Sequence, residues 1–144
     1  MPARAKVPRI KVRWTDASTF PPPRPKELAA LAERVLRTEG LSGNVDLVFC
    51  ENAYIRTLNR RFRKLDKTTD VLSFHYGDDD ILGEIYIATE KAKKQAPRWK
   101  NTFFAELKRL VVHGSLHLAG YDHIISKDRR VMRLREDQYL ASEK

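Results

Sequence analysis

At 144 residues, with 42% hydrophobic and 33% charged side chains, the chain has the makeup of one globular domain (1–144) able to bury a core, which excludes a fibre or a disordered tail. A lone cysteine, Cys50, excludes an internal disulfide, and without an apolar run for a signal peptide or membrane span the expected setting is reducing, cytoplasmic and away from membranes. A net charge of +9 implies a polyanionic partner, most simply a nucleic acid.

Residues 1–8 read as a loose basic start, and Ile10-Lys-Val-Arg-Trp14 alternates apolar with charged side chains, the pattern of a half-buried strand anchored by Trp14. The run Pro21-Pro-Pro-Arg-Pro25 is a stiff connector that delivers a helix start. From Lys26, the positions Leu28, Leu31, Ala32, Val35 and Leu36 follow helical spacing up to Gly40. Val45, Leu47 and Phe49 share one face of a second strand, and Ile55, Leu58 and Phe62 one face of a second helix.

The segment from Arg56 to Lys67 carries six basic residues against one acid, Asp66. Arg56 and Arg60 suit a solvated helix face, whereas Arg63, Lys64 and Lys67 lie beyond the apolar periodicity, in an expected loop. Thr68 to Phe74 and Leu82 to Ile87 read as two short strands joined as a hairpin, and residues 88–97 as a basic helix bearing Lys91, Lys93 and Lys94. A buried helix capped by Asn101 or Thr102 follows, then a last helix from Ser126 to Leu140 with Val131, Met132, Leu134 and Tyr139 inward. The expected fold is α+β, a small mixed four-stranded sheet packed with helices.

The chemistry gathers at the end of that buried helix, where Val111 to His123 holds three of the four histidines. At 3.6 residues per turn His113 and His117 stack on one face, a two-point clamp for a metal ion. Gly120 stands where the helix ends, and the reversal it permits brings His123 back toward the same ion. Three neutral nitrogens leave a tetrahedral zinc one open position for water or substrate, the catalytic pattern. The plain alternative is two core histidines and a third in a loop. Metzincin-type proteases place a Glu general base after the first His; here Gly114 stands there, expected to leave room for substrate, and a protease loses its carboxylate. Asp122 suits either a ligand-orienting acceptor or a turn residue, and His75 a surface histidine.

The run His113-Gly-Ser-Leu-His-Leu-Ala-Gly-Tyr-Asp-His123, with Leu58-Asn59, Arg63 and Asp66-Lys67-Thr-Thr-Asp-Val-Leu-Ser-Phe74 upstream, resembles the YbeY family of rRNA maturation factors. The resemblance implies a zinc-dependent endoribonuclease, single-strand-preferring, acting in small-subunit rRNA 3′-end maturation and ribosome quality control. It implies one zinc per chain on His113, His117 and His123, and Arg63 as the catalytic arginine. Lys64, Lys67, Lys91 and Lys94 are the expected RNA contacts. The implied partners are rRNA, the ribosome or small-subunit precursors, ribosomal proteins and ribosome-associated GTPases. Two other functions fit the same residues: an RNA- or ribosome-binding assembly factor with a structural zinc, and a zinc hydrolase of another substrate.

Overall fold

A computed structural model describes residues 7–15, 20–78, 80–121 and 126–142. Among the described residues the order is β1 (Pro8–Trp14), α1 (Pro25–Thr38), β2 (Gly43–Cys50), α2 (Asn52–Arg63), β3 (Val71–His75), β4 (Ile81–Ala88), α3 (Thr89–Gln95), a 3-10 turn (Ala96–Trp99), α4 (Phe103–Leu118) and α5 (Ser126–Ala141). The four strands form one mixed sheet in the order β1-β2-β4-β3. β1 pairs parallel with β2 and β2 with β4, while β3 runs antiparallel to β4. The expected α+β architecture is the one observed.

Alternation along β2 sends side chains to both faces of the sheet. Val45, Leu47 and Phe49, with Ile85 and Ile87 of β4, join the large core beneath α1 and α4. Val48 and Cys50, with Leu72 and Tyr86, form a smaller cluster with Ile55 and Leu58 of α2. Burial of Cys50, aided by the nearby Glu51 carboxylate, pushes its thiol up to about 12, so it stays a neutral core side chain.

Helix α4 is the central strut. Thr102 caps it, its Oγ1 accepting from the Ala105 amide at 3.0 Å, and Leu107, Leu110, Val111 and Leu116 are buried. Its C-terminal end lies directly on β4: a Cβ at Gly83 would stand 2.2 Å from the Phe74 carbonyl oxygen and 2.8 Å from Leu118 Cδ2. That glycine lets the end of the helix sit on the strand pair.

Three expectations need correction. Trp14 is 57% exposed rather than a buried anchor at the end of its strand. On α5, Met132 and Tyr139 are buried, but Val131 and Leu134 are 49% and 65% exposed. At 100° per residue, 132, 136 and 139 share a stripe from which 131 and 134 diverge. The third concerns the stretch from Thr68: pairing begins only at Val71, because the preceding segment is used as loop, with the Ala88 amide donating to the Asp70 carbonyl at 2.9 Å.

Candidate metal centre and nucleic-acid cleft

The last two turns of α4 place His113 and His117 one above the other, with ring centroids 4.7 Å apart at 71°. Their Nε2 atoms face each other at 3.1 Å. On its far side the His113 ring is held through Nδ1 by the carboxylate of Glu136 on α5. A carboxylate accepts, so Nδ1 donates to Glu136 and Nε2 is the ring atom turned toward His117. This is the carboxylate–histidine arrangement that orients metal-bound imidazoles.

The donor set fits a borderline divalent ion. Two imidazole nitrogens at zinc's bond length of about 2.0–2.1 Å in a tetrahedron stand roughly 3.3 Å apart, close to the observed separation. Among the described residues, no third His, Cys, Asp or Glu completes a cluster around the pair. His123, the expected third ligand, and Asp122 lie outside the described residues. His75 is exposed at the end of β3, apart from the pair.

Across from the histidines, a cleft of about 440 Å³ is walled by Arg63, Ser73, Lys67 and Lys91, and it reaches His113 and His117. Arg63 sits in the final turn of α2 rather than in a loop, and Lys64 closes that helix with a left-handed backbone at φ 57°. Arg63 Nη2 donates to the Ser73 carbonyl at 3.1 Å, and the Ser73 hydroxyl donates to the Gly114 carbonyl at 2.9 Å. One serine thus ties the arginine to the helix turn that carries His113. The loop behind is held by buried Asn59, whose Nδ2 donates to the Lys67 carbonyl at 3.0 Å. Of the four lysines expected to meet RNA, Lys67 and Lys91 line the cleft. Lys64 does not line it, and neither does Lys94, which pairs with Glu90 at 3.5 Å along α3.

Gly114 does not open space for substrate. A Cβ there would stand 2.7 Å from Ile85 Cγ2, 3.1 Å from Ser73 Oγ and 3.2 Å from Val71 Cγ2. The residue is bare because α4 packs against β3 and β4 at that turn, which also brings Ser73 within reach of the helix backbone.

Behind the cleft, Glu106 of α4 is fully buried, and Arg109 grips it with Nε at 2.7 Å and Nη2 at 3.0 Å. Gln95 Nε2 donates both to Glu106, at 2.7 Å, and to Asp70, at 3.1 Å. Hydrogen bonding to Glu106, then its charge and that of Asp70, raise the Arg109 pKa against the opposing effect of burial. Sequence reasoning missed Glu106, Glu136 and Ser73. A lone acid inside an apolar helical face is the signal that could have found Glu106.

A small basic α+β domain holding an imidazole pair opposite an arginine, across a cleft, is the class that fold and site define. The family model described as Endoribonuclease YbeY matches residues 16–144. Endoribonuclease YbeY of Carboxydothermus hydrogenoformans is 43% identical over 110 residues, spanning 74% of this chain and 77% of that protein. The protein of the same name from Desulforamulus reducens is 42% identical over 117 residues, spanning 73% and 76%. The solution structure of TM1509 from Thermotoga maritima superposes with a TM-score of 0.63 at 31% identity, covering 92% of this chain and 87% of that one. The chain belongs to the YbeY endoribonuclease family.

Proposed function

We propose that this chain is a zinc-dependent endoribonuclease that cuts single-stranded RNA in the cleft between Arg63 and the His113–His117 pair. One observation carries the reading: the arginine and the facing Nε2 atoms line a single cleft and are tied together through Ser73. Cleavage of a phosphodiester adds negative charge to the phosphoryl oxygens, and a guanidinium fork stabilises that charge directly. The Ser73 carbonyl uses one N–H of Arg63 to aim the group, and the remaining donors serve phosphate. Lys67 and Lys91 hold the flanking backbone by charge, without reading bases. His113, His117 and His123 would hold one zinc per chain, which when bound would supply Lewis acidity for phosphodiester cleavage. Glu136 holds the His113 ring so that its Nε2 stays turned toward His117.

The proposed substrate is small-subunit rRNA, at its 3′ end, in the cytoplasm, with ribosome quality control as the wider role. Ribosomal precursors, ribosomal proteins and ribosome-associated GTPases are the proposed partners. Support comes from the family, the net charge of +9, and the absence among the described residues of any helix long and apolar enough to cross a membrane.

The test combines metal analysis of the purified protein with cleavage of structured RNA. Arg63→Ala and His113→Ala are each expected to lower cutting by roughly 10²-fold or more while RNA binding stays largely intact. Cutting that survives both changes would sink the proposal, as would full activity in protein stripped of metal.

A further inference from the structure

Next to the cleft, the last turn of α2 leaves an aromatic ring in solvent. Phe62, one residue before Arg63, is 60% exposed. It ends a row of rings: Phe62 meets Phe74 of β3 at 5.4 Å and 70°, Phe74 meets Tyr86 of β4 at 5.9 Å and 80°, and Tyr86 meets Tyr54 at 6.1 Å. The edge contact with Phe74 positions Phe62 and still leaves ring surface open. Alternation along β3 sends Ser73 to the α4 side and Phe74 to the α2 side. Arg63 reaches both, donating to the Ser73 carbonyl with its guanidinium 6.0 Å from the Phe74 ring centre, at the outer edge of the sheet. The cleft arginine and the exposed ring therefore share one support.

The charge around the ring is positive. Arg61 lies over Phe62 at 5.8 Å, and Arg60 and Lys64 are exposed beside it. Asp66, the one acid between Arg56 and Lys67, is held by Arg56 at 3.0 Å. Glu84, across the strand pair from Phe74, accepts from the Tyr76 hydroxyl and lies 3.8 Å from Arg13. An exposed ring among cations is the equipment with which proteins hold unpaired nucleotides: a base stacks on the ring and the cations meet its phosphates. A partner protein would meet charge here more than apolar surface, because from Arg60 to Lys64 Phe62 is the one apolar side chain.

We propose that Phe62 is a stacking platform for one base of the single-stranded RNA, adjoining the phosphate that Arg63 holds, with Arg61 and Lys64 on the flanking phosphates. The platform rests on the nuclease reading, since it takes the same strand at the mouth of the cleft. A duplex keeps its bases stacked on one another and has no free face to offer the ring, so the platform favours an unpaired strand beside the bond to be cut.

The probe is a fluorescein-labelled, 2′-O-methylated copy of a mixed-sequence single strand, about 10 nucleotides long, that the unaltered chain cuts at one mapped bond. Its binding to the metal-loaded full chain is followed by anisotropy, with each base in turn removed to leave an abasic sugar. At one position close to the mapped bond, base removal is expected to weaken binding to the unaltered chain about tenfold and binding to Phe62→Leu little. Phe62→Leu is expected to weaken binding of the complete strand about tenfold, and Phe62→Tyr much less, because a phenol ring still stacks. Leucine keeps an apolar contact with Phe74, and thermal denaturation checks the fold of each variant. A photoreactive 5-iodouracil at the same position is expected to crosslink to Phe62 in the unaltered chain, a readout that needs no variant. Arg61→Gln with Lys64→Gln is expected to lower the slope of log affinity against log salt by roughly 1.4, two phosphate contacts.

Binding and cleavage by the unaltered chain, with no position at which base removal and Phe62→Leu are coupled and no crosslink to Phe62, overturns the platform, leaves the nuclease reading standing and hands that face to a protein partner. A loss in Phe62→Leu that is equal for every abasic strand also overturns it, since a merely structural role would weaken all of them alike. No RNA binding by the unaltered chain overturns the nuclease reading and the platform together.

Discussion

Two carboxylates brace the site from behind, and they work in different surroundings. Glu106 is fully buried, gripped in two-pronged fashion by Arg109 and bonded by Gln95, and through Gln95, which also donates to Asp70, it links α3 and α4 to the loop that leads into β3. Glu39, just beyond α1, keeps 8% of its side chain exposed and gathers Tyr121, Tyr139 and Arg135. It thereby holds α5, with Glu136, against the end of α4. The first brace sits where a charge has no water to fall back on, so its worth lies mainly in the damage done when one partner is removed. The second lies at the edge of the solvent, where each added donor contributes modestly and the whole answers to pH.

The largest effect is expected from Arg109→Ala, which leaves Glu106 buried with Gln95 as its remaining side-chain donor. A loss near 3 kcal/mol, or roughly 10 °C in Tm, should appear in thermal denaturation. A loss no greater than that of a Glu39 variant would erase the contrast between the braces.

Glu39→Gln is expected to cost about 1–2 kcal/mol near neutral pH, the size of hydrogen bonds to a charged acceptor. Burial alone would raise the Glu39 pKa, but hydrogen bonds from Tyr139, Tyr121 and Arg135, with the Arg135 charge, bring it below its ordinary 4.5. A depressed carboxylate stabilises the fold above its unfolded pKa and loses that contribution as pH falls through its folded value. Tm measured against pH should therefore show the gap between wild type and Glu39→Gln at pH 6–7 and its closure below about 4.5. A gap that persists into acid would mean that shape, not charge, holds α5.

Tyr121→Phe is the mildest change. It removes one 2.8 Å bond of several to Glu39 and should cost about 0.5–1 kcal/mol, read as a shift in the urea midpoint at unchanged slope.

Much of this molecule was legible before folding. Alternation in β2, the apolar spacing of α1 and the Thr102 cap are encoded within a few residues, and the structure carries them as expected. The four-residue spacing of His113 and His117 likewise needs only a helix to make the nitrogens converge. Short-range geometry is shared by any chain that forms the same element, so residue order suffices to reveal it.

The residues that complete the site are of another kind. Glu136 reaches His113 across 23 positions and Ser73 reaches Gly114 across 41, so no local period announces either contact. Gly114 reads as space in the sequence and proves to be close packing, because Ile85 fills the place a side chain would need. Trp99 is exposed, and Val131 and Leu134 leave the core because α5 packs against α4 along the stripe of Met132 and Tyr139. By itself the sequence determined the elements, the imidazole pair and the basic charge, since those follow from backbone periodicity and composition. Which carboxylate orients the histidine, which serine ties Arg63 to α4 and which faces stay open were decided only when distant elements packed, because contact energy depends on proximity in space and not along the chain.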